Sequence, residues 1–243
     1  MQNEQNKKFN IYIDFDGTIT NIDVGEHMFL KFGDPKKCQN VIDEWVDGKI
    51  SSVKVWIELC KTVKNFSENE FDIFLNEVEL DPYFLEFIDF CKTNSFSLTI
   101  LSDGLDYYIN KISKKYKFDD LNIYSNKLFI DENNSLIPSF PYGDEECKDC
   151  ANCKRNHILN SSSEDDINIY IGDGYSDTCA AEHCDYIFAK RSLLKYCEKN
   201  RVPYFPFNNF NDVLKIVTQL ANKKKIKKRH QASLKRRDAF MQG

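Results

Sequence analysis

The sequence predicts a doubly wound α/β fold with a parallel sheet and a small helical domain inserted after the first strand. Three observations carry this. The segments NIYIDFD, FSLTILSD and INIYIGD are near-continuous apolar runs, as in strands covered on both faces. Helically spaced segments alternate with them. The interval from about Ile22 to Leu80 holds no convincing strand.

The expected strands are Phe9–Phe15, Ser97–Ser102, Leu121–Ser125, Ile167–Gly172 and Asp185–Ala189. Helices are expected at Tyr83–Lys92, Asp106–Tyr116 and Ser192–Asn200. In the insert, apolar residues recur at three- and four-residue steps: Met28, Phe29, Phe32; Val41, Ile42, Trp45; Val55, Trp56, Leu59; Phe71, Phe74, Leu75, Val78. That spacing gives each helix one apolar face. Gly33-Asp34-Pro35 reads as a turn, and Ser67-Glu68-Asn69-Glu70 matches a capping box. Asn126–Phe140 reads as a β-hairpin turning at Glu132-Asn133-Asn134. The expected organisation is a catalytic core of residues 1–21 and 81–221, a helical cap of residues 22–80, and a basic tail of residues 222–243.

No apolar run approaches the roughly 20 residues that a spanning helix needs, and the N-terminal MQNEQNKKFN has no apolar signal region. A cytoplasmic protein with reduced, mostly buried cysteines is expected. The tail has nine basic residues against Asp238; this +8 leaves −13 on the rest of the chain, whose total is −5. An acidic body suits an enzyme that recruits a divalent cation. The tail has too few apolar residues for a packed face and reads as a solvated extension of the last helix. A basic arm for nucleic acid or an acidic surface is the alternative, so any nucleic-acid binding would rest on the tail alone.

Chemistry concentrates at strand ends, where open α/β sheets bind ligands. The first strand ends in Asp14-Phe15-Asp16-Gly17-Thr18, the second in Ser102-Asp103-Gly104, and the fourth in Gly172-Asp173-Gly174-Tyr175-Ser176-Asp177. Carboxylates gathered at one sheet edge repel unless a cation offsets them. A hydroxyl followed by a glycine turn into a helix makes an anion cradle. Lys154, just ahead of a helix, can supply positive charge to a phosphoryl group.

Together, Asp14-x-Asp16-Gly17-Thr18, Ser102, Lys154 and Gly172-Asp173-x3-Asp177 resemble the four motifs of the haloacid-dehalogenase-like phosphatases. These have a Rossmann-like core, and the insert resembles their C1-type cap. Tyr107-Tyr108-Ile109, Cys150-Ala151-Asn152-Cys153-Lys154 and Ile187-Phe188-Ala189-Lys190 resemble the 2-hydroxy-3-keto-5-methylthiopentenyl-1-phosphate phosphatases and their phosphoserine phosphatase-like relatives. The resemblance implies a Mg²⁺-dependent hydrolase of a small phosphorylated metabolite. Asp14 would be the nucleophile and Asp16 the acid–base. Thr18, Ser102, Asp103, Gly104 and Lys154 would bind phosphate. Asp14, Asp16 through its carbonyl, Asp173 and Asp177 would form the metal site.

In the cap, Asp23 and Glu26 are candidate substrate contacts, or simply favourable charges in a first helical turn. No arginine precedes Arg155, which weighs against a cap that grips an amino-acid carboxylate with a bidentate guanidinium. A phosphoserine-type substrate is therefore the alternative. A non-catalytic protein binding through its basic tail is the rival from another class. Cys147, Cys150, Cys153 and His157 have spacing that can hold structural zinc; thiols without metal are the other reading.

Overall fold

The computed structural model describes residues 8–145 and 149–242. In chain order the elements are β1 (Phe9–Ile13), α1 (Val24–Phe32), α2 (Pro35–Val46), α3 (Ser52–Thr62), α4 (Glu68–Glu77), α5 (Phe84–Thr93), β2 (Ser97–Leu105), α6 (Asp106–Lys115), β3 (Asn122–Ile130) and β4 (Leu136–Ser139). They continue with α7 (Lys154–Ser161), β5 (Ile167–Gly172), α8 (Thr178–Glu182), β6 (Tyr186–Ala189), α9 (Arg191–Asn200), β7 (Phe205–Pro206), α10 (Phe210–Ala221) and α11 (His230–Gln242). The chain forms two compact units. One takes the residues up to Asp14, Asp81–Ile100 and those from Lys154 onward; the other takes Phe15–Leu80 and Leu101–Cys153. The helical insert shares its unit with residues 101–153.

The first unit is the α/β layer. Its strands run in the order β2-β1-β5-β6-β7, all parallel, with Ile13 in register with both Ile100 and Ile171. Ile11, Ile13, Ile169 and Ile171 are fully buried, because helices cover both faces and leave no side for polar alternation. Helices α5 and α10 pack through Phe84, Phe87 and Phe210, with ring centroids 5.1 and 5.3 Å from Phe210. The two-residue β7 is too short to show as a hydrophobic run.

The second unit holds helices α1–α4 and α6 with the β3–β4 hairpin. Each insert helix starts on a side-chain cap: Asp23, Asp34, Ser51 and Ser67 each accept a backbone N–H bond from three residues on, which satisfies an otherwise orphaned donor. Phe32, Phe66, Phe71, Phe74 and Tyr107 form its aromatic cluster. Strand β2 ends in this unit, where the order is β4-β3-β2. The expected strand at Leu121–Ser125 and the hairpin after it are one continuous β3 that turns at residues 131–135 and returns as β4.

The basic tail corrects an expectation. It folds into α11, with Ala232 and Arg236 buried. Arg236 donates to the His183 carbonyl at 2.6 Å and to Asp185 Oδ1 at 3.3 Å. Arg229 donates to the Ala181 and Glu182 carbonyls at 2.9 and 2.6 Å, and Lys235 pairs with Glu182. These carbonyls close the C-terminus of α8, where cations are favoured. The packed face sets a lone Ala232 among guanidinium groups, so a search for an apolar stripe misses it.

Candidate active site

In the first unit, Asp14 follows β1 directly, and its N–H reaches the Ile171 carbonyl at 2.9 Å. Lys154 opens α7 and is buried. Its Nζ donates to Asp14 Oδ1 at 2.5 Å, to Asp177 Oδ1 at 2.7 Å and to Ser176 Oγ at 3.2 Å. Asp177 Oδ1 also accepts from the Tyr170 hydroxyl at 2.6 Å, while Oδ2 accepts from the backbone N–H groups of Asp173 and Gly174, each at 2.9 Å. With two donors on each oxygen, Asp177 is held by the protein itself. Asp173 Oδ2 accepts from Arg191 at 3.0 Å.

Oxygens of Asp14, Asp173 and Asp177 lie within 4.8 Å of one another, the one set of three or more metal-ligating side chains gathered in this way among the described residues. Burial and the neighbouring Asp177 charge drive the Asp14 carboxyl well above the usual range, against the pull of Lys154. Burial acts on Lys154 in the opposite sense, but the carboxylates of Asp14 and Asp177 prevail and keep it protonated. A buried cluster carrying more carboxylate than cation fits a hard divalent ion, which prefers oxygen ligands.

In the second unit, Asp16 sits in a tight loop that needs Gly17 at φ 73°. Thr20 Oγ1 accepts from Gly17 N at 3.2 Å and bonds the Ile22 carbonyl at 2.7 Å. The loop therefore hangs on Thr20, a residue at the end of the first motif to which the sequence assigns no role; Thr18 beside it is buried. Asp16 Oδ1 accepts from Val24 N at 3.0 Å, and Oδ2 accepts from the Tyr108 hydroxyl at 2.7 Å and Ser102 Oγ at 3.3 Å. Burial and then the Asp23 charge push its carboxyl up to about 8, although the bonds from Tyr108 and Val24 pull it down. A carboxyl raised in this way holds its proton more readily than an ordinary aspartate.

Ser102 Oγ also accepts from Gly104 N at 2.9 Å. Asn152, two residues before Lys154, donates through Nδ2 to the Ser102 carbonyl at 2.7 Å and through its backbone N–H to Asp103 Oδ1 at 2.9 Å. The other Asp103 oxygen is bonded by the Ser52 hydroxyl of α3. The Asp103 side chain therefore ties α3 and the Asn152 loop to the end of β2. A carboxylate so engaged repels a phosphoryl anion, so any phosphate binding by Asp103 would fall to its backbone N–H. Asp23 is the N-cap of α1, accepting from Glu26 N at 2.8 Å.

Of the cysteine set, Cys147 lies outside the described residues. Cys150 and Cys153 precede α7, which carries His157; they join no metal-competent group among the described residues. Buried Cys38, Cys60, Cys91, Cys184 and Cys197 are free thiols. Besides Thr20, the motif reading did not single out Tyr108, Asn152, Tyr170 or Arg191. Tyr108 stood in a noted pattern, but no periodicity says where its hydroxyl points.

A parallel α/β sheet with Asp14, Lys154, Asp173 and Asp177 clustered at its strand ends defines a haloacid-dehalogenase-like phosphatase. Residues 9–200 match the family described as "Putative Phosphatase", and the chain belongs to that family of phosphoric monoester hydrolases. It is 31% identical over 208 residues to the 2-hydroxy-3-keto-5-methylthiopentenyl-1-phosphate phosphatase of Bacillus mycoides (strain KBAB4), covering 84% of this chain and 93% of the relative. The like-named protein of Bacillus cereus (strain B4264) is 30% identical over 206 residues, with the same coverage. Among solved structures, a phospho-aspartyl intermediate analogue of phosphoserine phosphatase aligns with a TM-score of 0.68 at 18% identity, over 86% of this chain and 99% of that one. At that identity the likeness is one of fold. Among the described residues, no helix is long and apolar enough to cross a membrane.

Proposed function

We propose that the chain is a Mg²⁺-dependent phosphatase of a small phosphorylated metabolite, with Asp14 as nucleophile and Asp16 as acid–base. The observation that carries this reading is the buried Lys154 ammonium 2.5 Å from Asp14. It screens one oxygen of a carboxylate that must approach a phosphoryl dianion. Asp14 attacks phosphorus and forms an aspartyl-phosphate, as Asp16 hands its proton to the departing alkoxide. Water then attacks the phosphorus, Asp16 takes its proton back, and the Asp14 carboxylate and inorganic phosphate are released. Asp14 and Asp16 stand two residues apart in the chain, which suits them to serve one phosphoryl group.

Ser102, Lys154 and the N–H groups around Gly17 and Gly104 are assigned to the phosphoryl oxygens, where donors set in advance favour the transition state. Asp14, the Asp16 carbonyl and Asp173 would hold Mg²⁺, while Asp177, its oxygens engaged by protein donors, orders Lys154 and the loop after β5. When bound, Mg²⁺ offsets the charge of the carboxylates and the phosphoryl group.

The helical insert, residues 22–80, is assigned as the cap that selects the leaving group. The two Bacillus relatives are named as phosphatases of 2-hydroxy-3-keto-5-methylthiopentenyl-1-phosphate. That enol-phosphate is the first substrate to test, and a cap without arginine agrees with a leaving group that has no carboxylate. Phosphate release from a panel including it and phosphoserine, with and without Mg²⁺, tests the assignment. Asp14→Asn is expected to lower release at least ~1,000-fold; native-like release by that variant would end the nucleophile assignment.

A further inference from the structure

We propose that Tyr108 is a positioning residue for the acid–base carboxyl of Asp16, acting on leaving-group protonation. This inference rests on the phosphatase reading above. Tyr108 lies on α6 and is fully buried. Its hydroxyl meets Asp16 Oδ2 at 2.7 Å, the shortest of the bonds on that carboxyl, with Ser102 Oγ at 3.3 Å on the same oxygen and Val24 N at 3.0 Å on the other.

The backbone is shaped around this contact. A Cβ on Gly104 would stand 1.9 Å from the Tyr108 hydroxyl and 2.6 Å from Asp16 Oδ2. On Gly25 it would stand 3.2 Å from the same hydroxyl and 2.8 Å from the Trp56 ring. Both glycines leave room for the phenol oxygen to reach the carboxyl. A tyrosine that only filled the core would gain nothing from carrying its hydroxyl into a buried pocket, where a polar atom must find a partner.

The chemistry follows from which state those donors favour. Hydrogen bonds donated to a carboxyl stabilise its ionised form. When Asp16 passes its proton to the departing alkoxide, the carboxylate left behind is received by the Tyr108 hydroxyl, while the single proton of Ser102 is left for the phosphoryl oxygens. The bond is therefore stronger after proton transfer than before it, which is the condition for lowering a barrier. In the second half-reaction the same carboxylate accepts a proton from the attacking water.

The test is Tyr108→Phe, which keeps the ring and removes the oxygen, assayed on aryl phosphates of similar size and graded leaving ability. The pre-steady-state burst of released phenol isolates the first half-reaction. For p-nitrophenyl phosphate, whose leaving group needs little protonation, the burst rate should change less than about 3-fold. For p-methoxyphenyl phosphate it should fall about 10- to 100-fold, the range of a general acid's contribution. An equal fall for both esters, or no fall for either, overturns the proposal.

Tyr107→Phe removes the neighbouring hydroxyl, which faces Glu68, and should leave the dependence on leaving group unchanged; an equal steepening there also overturns the proposal. Should Tyr108→Phe not fold, 3-fluorotyrosine at position 108 keeps the ring and strengthens the donor. A change confined to the poor leaving group then supports the role, and a uniform change or none removes it. Failure of the phosphatase reading itself shows differently, as an Asp14→Asn variant that still gives the burst.

Discussion

Asp177 grips Lys154 with one carboxylate oxygen, at 2.7 Å, and with the other gathers the N–H groups of Asp173 and Gly174 at 2.9 Å. One buried side chain thus aligns the lysine from α7 and the turn after β5. Asp177→Asn puts an amide NH₂ where donors already converge. Removing the charge of a buried pair, or leaving such donors opposed, costs about 3 kcal/mol or more. Urea unfolding should show that loss, together with reduced phosphate release. A variant within about 1 kcal/mol of the parent would contradict this arrangement.

Arg191 would compete with a metal ion for the Asp173 carboxylate. Its guanidinium, on a half-exposed side chain, reaches Asp173 Oδ2 at 3.0 Å. Chelation by EDTA is expected to abolish phosphate release. Arg191→Gln removes the competing cation without disturbing the buried set and should tighten apparent Mg²⁺ affinity by up to about 5-fold, the reach of an exposed ion pair. Titration of metal-free protein with Mg²⁺ measures it; weaker binding in the variant would show that Arg191 aids the site.

The C-terminal helix is expected to contribute to folding through Arg236. Arg236→Ala leaves Asp185, which is itself buried, without its guanidinium partner. Stranding one member of a buried pair costs roughly 3–5 kcal/mol. Thermal and urea unfolding should register it, whereas Arg237→Ala, on an exposed side chain, should fall within about 0.5 kcal/mol of the parent.

His157 on α7 makes stability depend on acid. Burial lowers its pKa from 6.5 to about 4. Between those values the unfolded chain binds a proton that the folded protein refuses. Stability from this group is therefore present above pH 6.5 and is lost as pH falls toward 4. His157→Gln should show a smaller drop in urea midpoint between pH 7 and pH 4.5 than the parent. Parallel drops would show that His157 does not titrate this way.

Much of this architecture was readable in the chain because both signals are local. Strands β1, β2 and β5 announce themselves as apolar runs, and Asp14, Ser102 and Asp173 mark where those runs stop. The insert helices follow from their spacing, and Ser67 was legible as a cap. Where the reading failed, polar atoms had taken over a task usually done by hydrocarbon. Helix α11 buries guanidinium groups against carbonyls at the end of α8.

The linear sequence determined the α/β class, the places of the acidic residues and the phosphatase family, because strand patterning and motif order survive without coordinates. Tertiary structure alone decided what each polar atom faces: that the Tyr108 hydroxyl meets Asp16, that Asp177 serves Lys154, and that a basic tail becomes a packed helix. Hydrogen bonds are short and directional. Partners such as Asp16 and Tyr108, 92 residues apart, are chosen by the folded backbone and leave no periodic trace in the chain.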